Sequence, residues 1–138
     1  MNNNESQKNE YLLFFRGGDW TKGLSPEEIQ TAVNQMMSWL EGFSKKGKLK
    51  AAQPLERTGK VVSGKNGRIV QDGPYNESKE IVGGYGLFAL GSFDEAVAIA
   101  KTCPMLEHGG QVEVRQIAEV CPAARACAEE AQLASTAA

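Results

Sequence analysis

The sequence predicts an α+β domain in which two helices cover one face of an antiparallel sheet. Three observations support this fold class: two capped amphipathic helix patterns, four extended apolar segments, and an order in which strands and helices alternate along the chain. Without an inserted hairpin, that order is strand, helix, strand, strand, helix, strand, which is the ferredoxin-like βαββαβ arrangement. A chain of 138 residues has the length of one domain with one core.

The first helix is predicted from its start signal and its periodicity. Ser25 is a natural N-cap, Pro26 suits the first helical position, and Glu28 completes a capping box. Lysines and a glycine at 45–47 then end the helix. The apolar stripe, which we expect to lie in the core, recurs at three- and four-residue steps and contains Ile29, Val33, Met36, Met37, Leu40 and Phe43.

The second helix has the same kind of start signal. Ser92 and Glu95 form its predicted capping box, and Pro104 stops the helix. Its side chains repeat at helical spacing, so one face is expected to be buried. That face contains Phe93, Ala96, Val97 and Ala100.

Four strands are predicted from short apolar segments that turn signals bound. They cover residues 11–15, 49–55, 81–90 and 112–117. Pro54 confines part of the second strand to a sheet edge or a bulge. Between the second and third strands, KVVSGKNGRIVQ predicts an inserted β-hairpin, in which Asn66 and Gly67 supply the two positive φ angles of a type I′ turn.

Composition and charge exclude several classes of function. The 15 basic and 17 acidic side chains give a net charge of −2. No basic run exceeds the pair Lys45 and Lys46, so we expect no direct contact with nucleic acid. No apolar run reaches the ~18 residues that a membrane span needs. Cys103, Cys121 and Cys127 form an odd set without CxxC spacing, which favours a reduced cytoplasmic setting and no disulfide framework.

The two ends of the chain differ from its middle. Residues 1–10 are predicted to be a disordered polar tail, and they lack the apolar region of a signal peptide. Residues 121–138 are alanine-rich and are expected to be a partly helical tail. The folded domain is therefore predicted to span residues 11–120.

The alternation of side chains in the first strand predicts a homodimer. Both faces of this strand are apolar, with Tyr11, Leu13 and Phe15 on one face and Leu12 and Phe14 on the other. Two helices cover only one face of such a sheet, so a single copy would leave a large apolar surface in water. We therefore expect two copies to pack sheet against sheet.

The last strand supplies charged candidates for a site between the two sheets. If Val112 and Val114 meet the helices, Glu113 and Arg115 face the cavity that the dimer encloses. Either the two charges neutralise one another or bind charges across the dimer, or Arg115 offers a bidentate fork to a carboxylate or enolate ligand. Arg16 is a second candidate cation in the same cavity.

The segment VQDGPYNESKEIVGGYGLFAL (residues 70–90) contains the other candidate binding residues. Asp72 and Tyr75 lie in a predicted turn, and they either form a rigid corner or line the mouth of a pocket. Lys79 belongs either to a charged edge that blocks strand pairing or to an anion-binding site. Tyr85 is a candidate for the cavity lining, and the glycines around it favour a strand bend or a close neighbour over a nucleotide site.

The candidates for catalysis and for metal binding are few. His108, the only histidine, lies in a predicted loop, where it is either an exposed residue or an acid/base group. Asp72 is the second candidate for proton transfer. Cys103 lies beside a helix C-terminus, whose dipole raises a thiol pKa, so it is not a candidate nucleophile. The cysteines are too scattered for zinc, and we expect no metal and no cofactor.

Four distinctive blocks occur in order along the sequence: DGPYNESKE, GGYGLFAL, SFDEAVAIAKTCP and GGQVEVRQI. Together they resemble the DGPF branch of the YCII-related (YciI-like) proteins. The resemblance covers residues 11–120 and implies a dimeric α+β barrel built from ferredoxin-like subunits. Two positions depart from the motifs of this branch: Tyr75 replaces a phenylalanine and Gln116 replaces a proline.

The resemblance implies two different kinds of function. Some YciI-like proteins are enzymes that act on small aromatic compounds, and a histidine–aspartate pair has been proposed as their catalytic centre. That histidine belongs on the first helix and the aspartate just before the proline after the second helix. Here the first helix has no histidine, and Cys103 precedes Pro104. DGPF proteins are also labelled transcription-initiation proteins and are associated with extracytoplasmic-function sigma factors.

These patterns lead to two main hypotheses. The first is a homodimer that binds a small anionic or aromatic molecule near Asp72, Tyr75, Arg115 and His108, with a minor enzymatic activity left open. The second is a regulatory protein that contacts a sigma factor without binding DNA. A structural dimer with a vestigial pocket is the third interpretation.

Overall fold

The computed structural model describes residues 9–73 and 81–137, which form a four-stranded sheet, a two-stranded sheet and three α-helices. The larger sheet is antiparallel and has the strand order β2-β5-β1-β6. The predicted α+β class is therefore confirmed. The elements are β1 (Asn9–Arg16), α1 (Pro26–Lys45), β2 (Leu49–Pro54), β3 (Gly59–Ser63), β4 (Ile69–Gly73), β5 (Val82–Leu90), α2 (Phe93–Ala100), β6 (Gln111–Gln116) and α3 (Pro122–Ala137).

The helix α1 begins where its start signal predicts. The Ser25 hydroxyl accepts a hydrogen bond from the Glu28 backbone N–H at 3.1 Å, and the Ser25 N–H donates to the Glu28 carboxylate at 3.0 Å. The buried stripe of the helix is narrower than predicted, because Met37 is 62% exposed and Val33 is exposed as well. Successive residues of a helix lie about 100° apart. Met37 therefore points to solvent when Met36 points inward.

The core lies between the large sheet and the helices α1 and α2. Its largest fully buried side chains are Tyr11, Leu13, Phe88 and Leu90. Ala96 and Ala100 of α2 join this cluster, as predicted. The other two residues of the predicted face do not join it: Val97 is half-buried, and Phe93 is 46% exposed at the first position of α2, where its ring forms a T-shaped pair with Tyr11.

The strands β3 and β4 pair with each other in the separate two-stranded sheet. Asn66 and Gly67 both have positive φ angles, 62° and 66°. Regular pairing begins only at Ser63 and Ile69, because a short 3-10 turn at Lys65–Gly67 lengthens the connection. Residues 59–73, here called the β3–β4 hairpin, are exposed along both strands except at Gly73.

The third helix, α3, follows the last strand. Its residues 122–135 are exposed throughout. None of the described helices is both long enough and apolar enough to span a bilayer.

Candidate functional site

The helices α1 and α2 cover one face of the large sheet, the helix face, and leave the other uncovered. The uncovered face, here called the helix-free face, is defined by the alternation and register of three neighbouring strands. Phe14 lies opposite Tyr85 on one side and Glu113 on the other, while Leu12 lies opposite Leu87 and Arg115. The face therefore has an apolar centre with charged groups beside it. Its members are Leu12, Phe14 and Arg16 of β1, Tyr85 and Leu87 of β5, and Glu113 and Arg115 of β6.

Arg16 and Glu113 form an ion pair on this face. The Arg16 Nη1 donates to the Glu113 carboxylate at 3.0 Å, and the two side chains are 23% and 37% exposed. The register explains the pair: Glu113 lies opposite Phe14, so Arg16 is its diagonal neighbour on the same face. Arg16 therefore lies on the same face as the β6 charges, and its role in a ligand cavity stays a prediction. The partner of Glu113 is Arg16 and not Arg115.

Arg115 differs from Arg16 in its surroundings. Its side chain is exposed, and within residues 9–73 and 81–137 no hydrogen bond or ion pair engages it. It lies two residues from Glu113 on the same face of β6 and opposite the apolar Leu12. Its planar guanidinium carries five N–H donors, and the exposed side chain lies beside an apolar surface. This is the arrangement in which an arginine can bind an anionic group bidentately.

Tyr85 lies on the helix-free face by strand alternation, and the glycines on either side of it leave no room for a Cβ. A Cβ on Gly84 would lie 2.9 Å from the Gln53 carbonyl oxygen of β2, closer than real Cβ contacts. A Cβ on Gly86 would lie 2.8 Å from the Phe88 ring of the same strand. The close approach of a neighbouring strand, predicted for these glycines, agrees with the geometry at Gly84. Tyr85 itself is half-buried opposite Phe14.

Two of the predicted site residues lie away from Arg115. Asp72 is on β4, where its 87% exposed carboxylate pairs with Lys60 across the β3–β4 hairpin. His108 ends a short 3-10 helix, and its ring lies 5.7 Å from that of Trp20, on the side of α1. The predicted pocket of Asp72, Arg115 and His108 is therefore not assembled within one described chain. Tyr75 and Lys79 lie outside the described residues.

The position at which the family resemblance implies an aspartate is occupied by a buried thiol. Cys103 is 3% exposed, and its Sγ lies 3.9 Å from the Sδ of Met36 on α1. Burial raises the pKa of Cys103, so the thiol stays neutral. The predicted direction of this shift is right, although its cause is burial and not the helix dipole. A buried contact between two sulfur atoms cannot transfer protons as a histidine–aspartate pair does.

One ion pair at the far end of the helix-free face is missing from the sequence prediction. Lys50 Nζ lies 2.5 Å from the Glu10 carboxylate. A bulge in the β2–β5 pairing between Leu49 and Ala51 inserts Lys50 as an extra residue. The alternation of β2 alone gives no signal of this bulge, because it depends on the partner strand. Among the described residues, no three histidine, cysteine, aspartate or glutamate side chains lie together as a metal site requires.

Comparisons with known proteins identify the family and one similar structure. A family model described as the YCII-related domain matches residues 8–121. A comparison with curated proteins finds no match. Among solved structures, the chain is similar to a 5-chloro-2-hydroxyhydroquinone dehydrochlorinase from Burkholderia phenoliruptrix in complex with 2,5-dihydroxybenzoquinone. The identity is 15% and the TM-score 0.43, over 80% of this chain and 95% of that one. A likeness of this degree says nothing about ligand or reaction.

Proposed function

Because the chain belongs to the YCII-related domain family, we propose that it acts as a homodimer that binds a small anionic molecule on the helix-free face. One observation carries the proposal. The Arg115 guanidinium lies beside an apolar surface, and no group in the described part of the chain engages it. The neighbouring Glu113 carboxylate is paired with Arg16 and, in the described part of the chain, forms no ion pair with Arg115.

The surroundings of Arg115 favour a particular class of ligand. A carboxylate or enolate accepts two parallel hydrogen bonds from a guanidinium. The apolar side chains of Leu12 and Phe14, with the ring of Tyr85, offer a surface for an aromatic or apolar body. The ligand we propose is therefore a small aromatic or apolar molecule with one anionic group.

The proposal includes a second copy of the chain as the cover of this face. Leu12, Phe14 and Leu87 are each partly exposed in the single chain, side by side on three adjacent positions of the sheet. An apolar sheet face of this kind is stabilised when another sheet packs on it about 10 Å away. Such packing would enclose a molecule bound at Arg115 and exclude water from the ion pair.

The proposed role is binding, and catalysis is not required for it. The carboxylate of Glu113 is held by Arg16, and Cys103 is a neutral buried thiol in contact with Met36. The described part of the helix-free face contains no histidine.

A thermal-shift screen tests the proposal directly. The wild-type chain is screened against small carboxylates, phenols and phosphorylated metabolites, and each hit is repeated with Arg115→Ala. A ligand at ~100 times its Kd stabilises the folded state by about 2.7 kcal/mol, which is a clear shift in melting temperature. Arg125→Ala is the matched control, since Arg125 is an exposed arginine on α3, outside the helix-free face.

The two variants separate the outcomes. We expect the shift to be lost in Arg115→Ala and kept in Arg125→Ala, with both variants folded and of wild-type oligomeric state. A ligand that still raises the melting temperature of Arg115→Ala would bind at another site. A screen in which no carboxylate, phenol or phosphate stabilises the wild type would contradict the proposal.

A second candidate function is a regulatory interaction module, which the sequence resemblance links to sigma factors. The observation that favours it is exposed apolar side chains outside the helix-free face, among them Met37 on α1 and Leu133 on α3. Titration of the chain with a purified extracytoplasmic-function sigma factor distinguishes this function. Binding that survives Arg115→Ala and fails in Met37→Lys would favour it over the ligand-binding role.

A further inference from the structure

The β3–β4 hairpin is exposed and apolar on both of its faces. Val62 and Val70 are directly opposite each other and are 61% and 60% exposed. Val61 and Ile69, which point to the other face, are also exposed. A two-stranded hairpin is marginally stable alone, and apolar residues on both faces favour burial between other surfaces.

The base of the hairpin is fixed to the body of the chain. The Leu55 N–H donates to the Gly83 carbonyl oxygen at 2.9 Å, which extends the pairing of β2 with β5 by one residue beyond β2. Arg57 lies 3.5 Å from Asp19, in the loop after β1. These two contacts hold the chain just before the hairpin, whereas the two faces of the hairpin itself are exposed.

The charge of the hairpin is opposite to that of the rest of the chain. Lys60, Lys65 and Arg68 against Asp72 give residues 59–73 a net charge of +2. Since the whole chain carries −2, the remainder carries −4. Lys65 and Arg68 flank the tip, and no described residue pairs with either. The hairpin is therefore opposite in net charge to the remainder of another copy, which favours association of the two.

We infer that the β3–β4 hairpin is a dimerisation arm that docks on the body of a second copy of this chain. Its valines and isoleucine are buried in that contact, and its tip cations lie against the acidic surface of the partner. The inference shares with the proposed function the premise that two copies associate, and it adds a contact outside the helix-free face. The exposed edges of β3 and β4 are protected in the same contact from unspecific strand pairing.

Charged substitutions on the hairpin test the inference. The full chain and the double variants Val62→Lys/Val70→Lys and Val61→Lys/Ile69→Lys are compared by sedimentation equilibrium. These positions are exposed in the single chain, so the monomer should keep its fold, which circular dichroism checks. We expect the dimer Kd to rise on the order of 100-fold, because lysines would be desolvated in an apolar contact. Met37→Lys, which changes an equally exposed apolar residue on α1, is the matched control and should dimerise normally.

The outcomes are separable from those of the ligand experiment. Loss of dimer in either hairpin variant, with Met37→Lys unaffected, supports the inference. A wild-type dimer that both hairpin variants retain would overturn it and leave the sheet-to-sheet dimer of the proposed function standing. A wild-type chain that stays monomeric would also overturn it. Ligand binding through Arg115 is measured by the thermal shift and hairpin docking by the dimer Kd. One of these two proposals can therefore be contradicted while the other is supported.

Discussion

The two faces of the large sheet are built from the same strands but differ in what covers them. On the helix face, Tyr11, Leu13, Phe88 and Leu90 are fully buried. On the helix-free face, the residues at alternate positions of the same strands stay partly exposed, and two ion pairs flank them. The helix face is thus part of the buried core, whereas the helix-free face is a partly exposed apolar surface with ion pairs beside it.

This difference predicts that substitutions on the two faces affect different properties of the protein. Side chains on the helix face lose contacts and leave a cavity when truncated, because α1 and α2 pack directly on them. Side chains on the helix-free face lose only the contacts of a half-exposed surface. Substitutions should therefore affect folding on the first face and association or ligand binding on the second.

Truncation of one aromatic ring on each face tests this separation and has the largest expected effect. Phe88→Ala should lower the free energy of unfolding by about 3–5 kcal/mol, because its ring is fully buried and packs against both Trp39 and Phe43. Phe14→Ala, on the helix-free face, should lower it by about 1 kcal/mol in the monomer. Urea denaturation at low protein concentration measures both values, and equal losses would show that the helix-free face is covered within a single chain.

Two neighbouring glycines of β5, Gly83 and Gly84, allow a second comparison, with a smaller expected change in the free energy of unfolding. The Cβ of Gly84→Ala would lie 2.9 Å from the Gln53 carbonyl oxygen, so β2 must shift, at a cost of about 1–3 kcal/mol. Gly83→Ala is the control, since its Cβ meets the Phe15 carbonyl oxygen only at 3.7 Å, an ordinary contact. That variant should stay within about 0.5 kcal/mol of wild type. Thermal unfolding distinguishes the two, and a neutral Gly84→Ala would mean that β2 moves freely at this point.

The smallest expected effect is on the pH dependence of the free energy of unfolding, through the capping box of α1. The hydrogen bond from the Ser25 backbone holds the pKa of Glu28 below its usual value. A carboxylate with a lowered pKa contributes stability at higher pH and loses it as the pH falls through the lowered pKa. In Glu28→Gln, the free energy of unfolding should therefore depend less steeply on pH in the range below about 4.3.

Glu27→Gln is the matched control for this titration. Glu27 lies in the same first turn of α1 but does not form the capping box with Ser25. Its variant should keep the wild-type slope of the free energy of unfolding against pH, measured by urea denaturation at several acidic pH values. Identical slopes for wild type and Glu28→Gln would show that Glu28 does not contribute to the pH dependence of the free energy of unfolding.

Local chemistry predicts the elements of this protein well. The α1 start at Pro26 follows from Ser25 and Glu28, whose reciprocal hydrogen bonds join residues only three positions apart. The strands lie within about two residues of their predicted bounds, since their segments are short and turn signals bound them. The exposed residues Val33, Met37 and Phe93, which the sequence predicts to be buried, lie at the margin of an apolar stripe. There, periodicity alone cannot tell how far the packing partner extends.

The candidate site is predicted less completely than the fold. The sequence names Arg16, Glu113, Arg115 and Tyr85, and strand alternation places them all on the helix-free face. It does not predict which arginine pairs with Glu113, because that choice depends on the diagonal register between β1 and β6. The bulge at Lys50 is not predicted for the same reason, because it depends on how β2 pairs with β5.

The sequence by itself determines the α+β class, the helix caps and the two-sided apolar character of β1, because these depend on hydrogen bonds and periodicities within a few residues. Only the tertiary structure decides that Arg16 meets Glu113, 97 positions away along the chain. It also decides that Asp72 lies on the β3–β4 hairpin and His108 beside Trp20. Contacts of this kind follow from strand order and register, which no local pattern encodes.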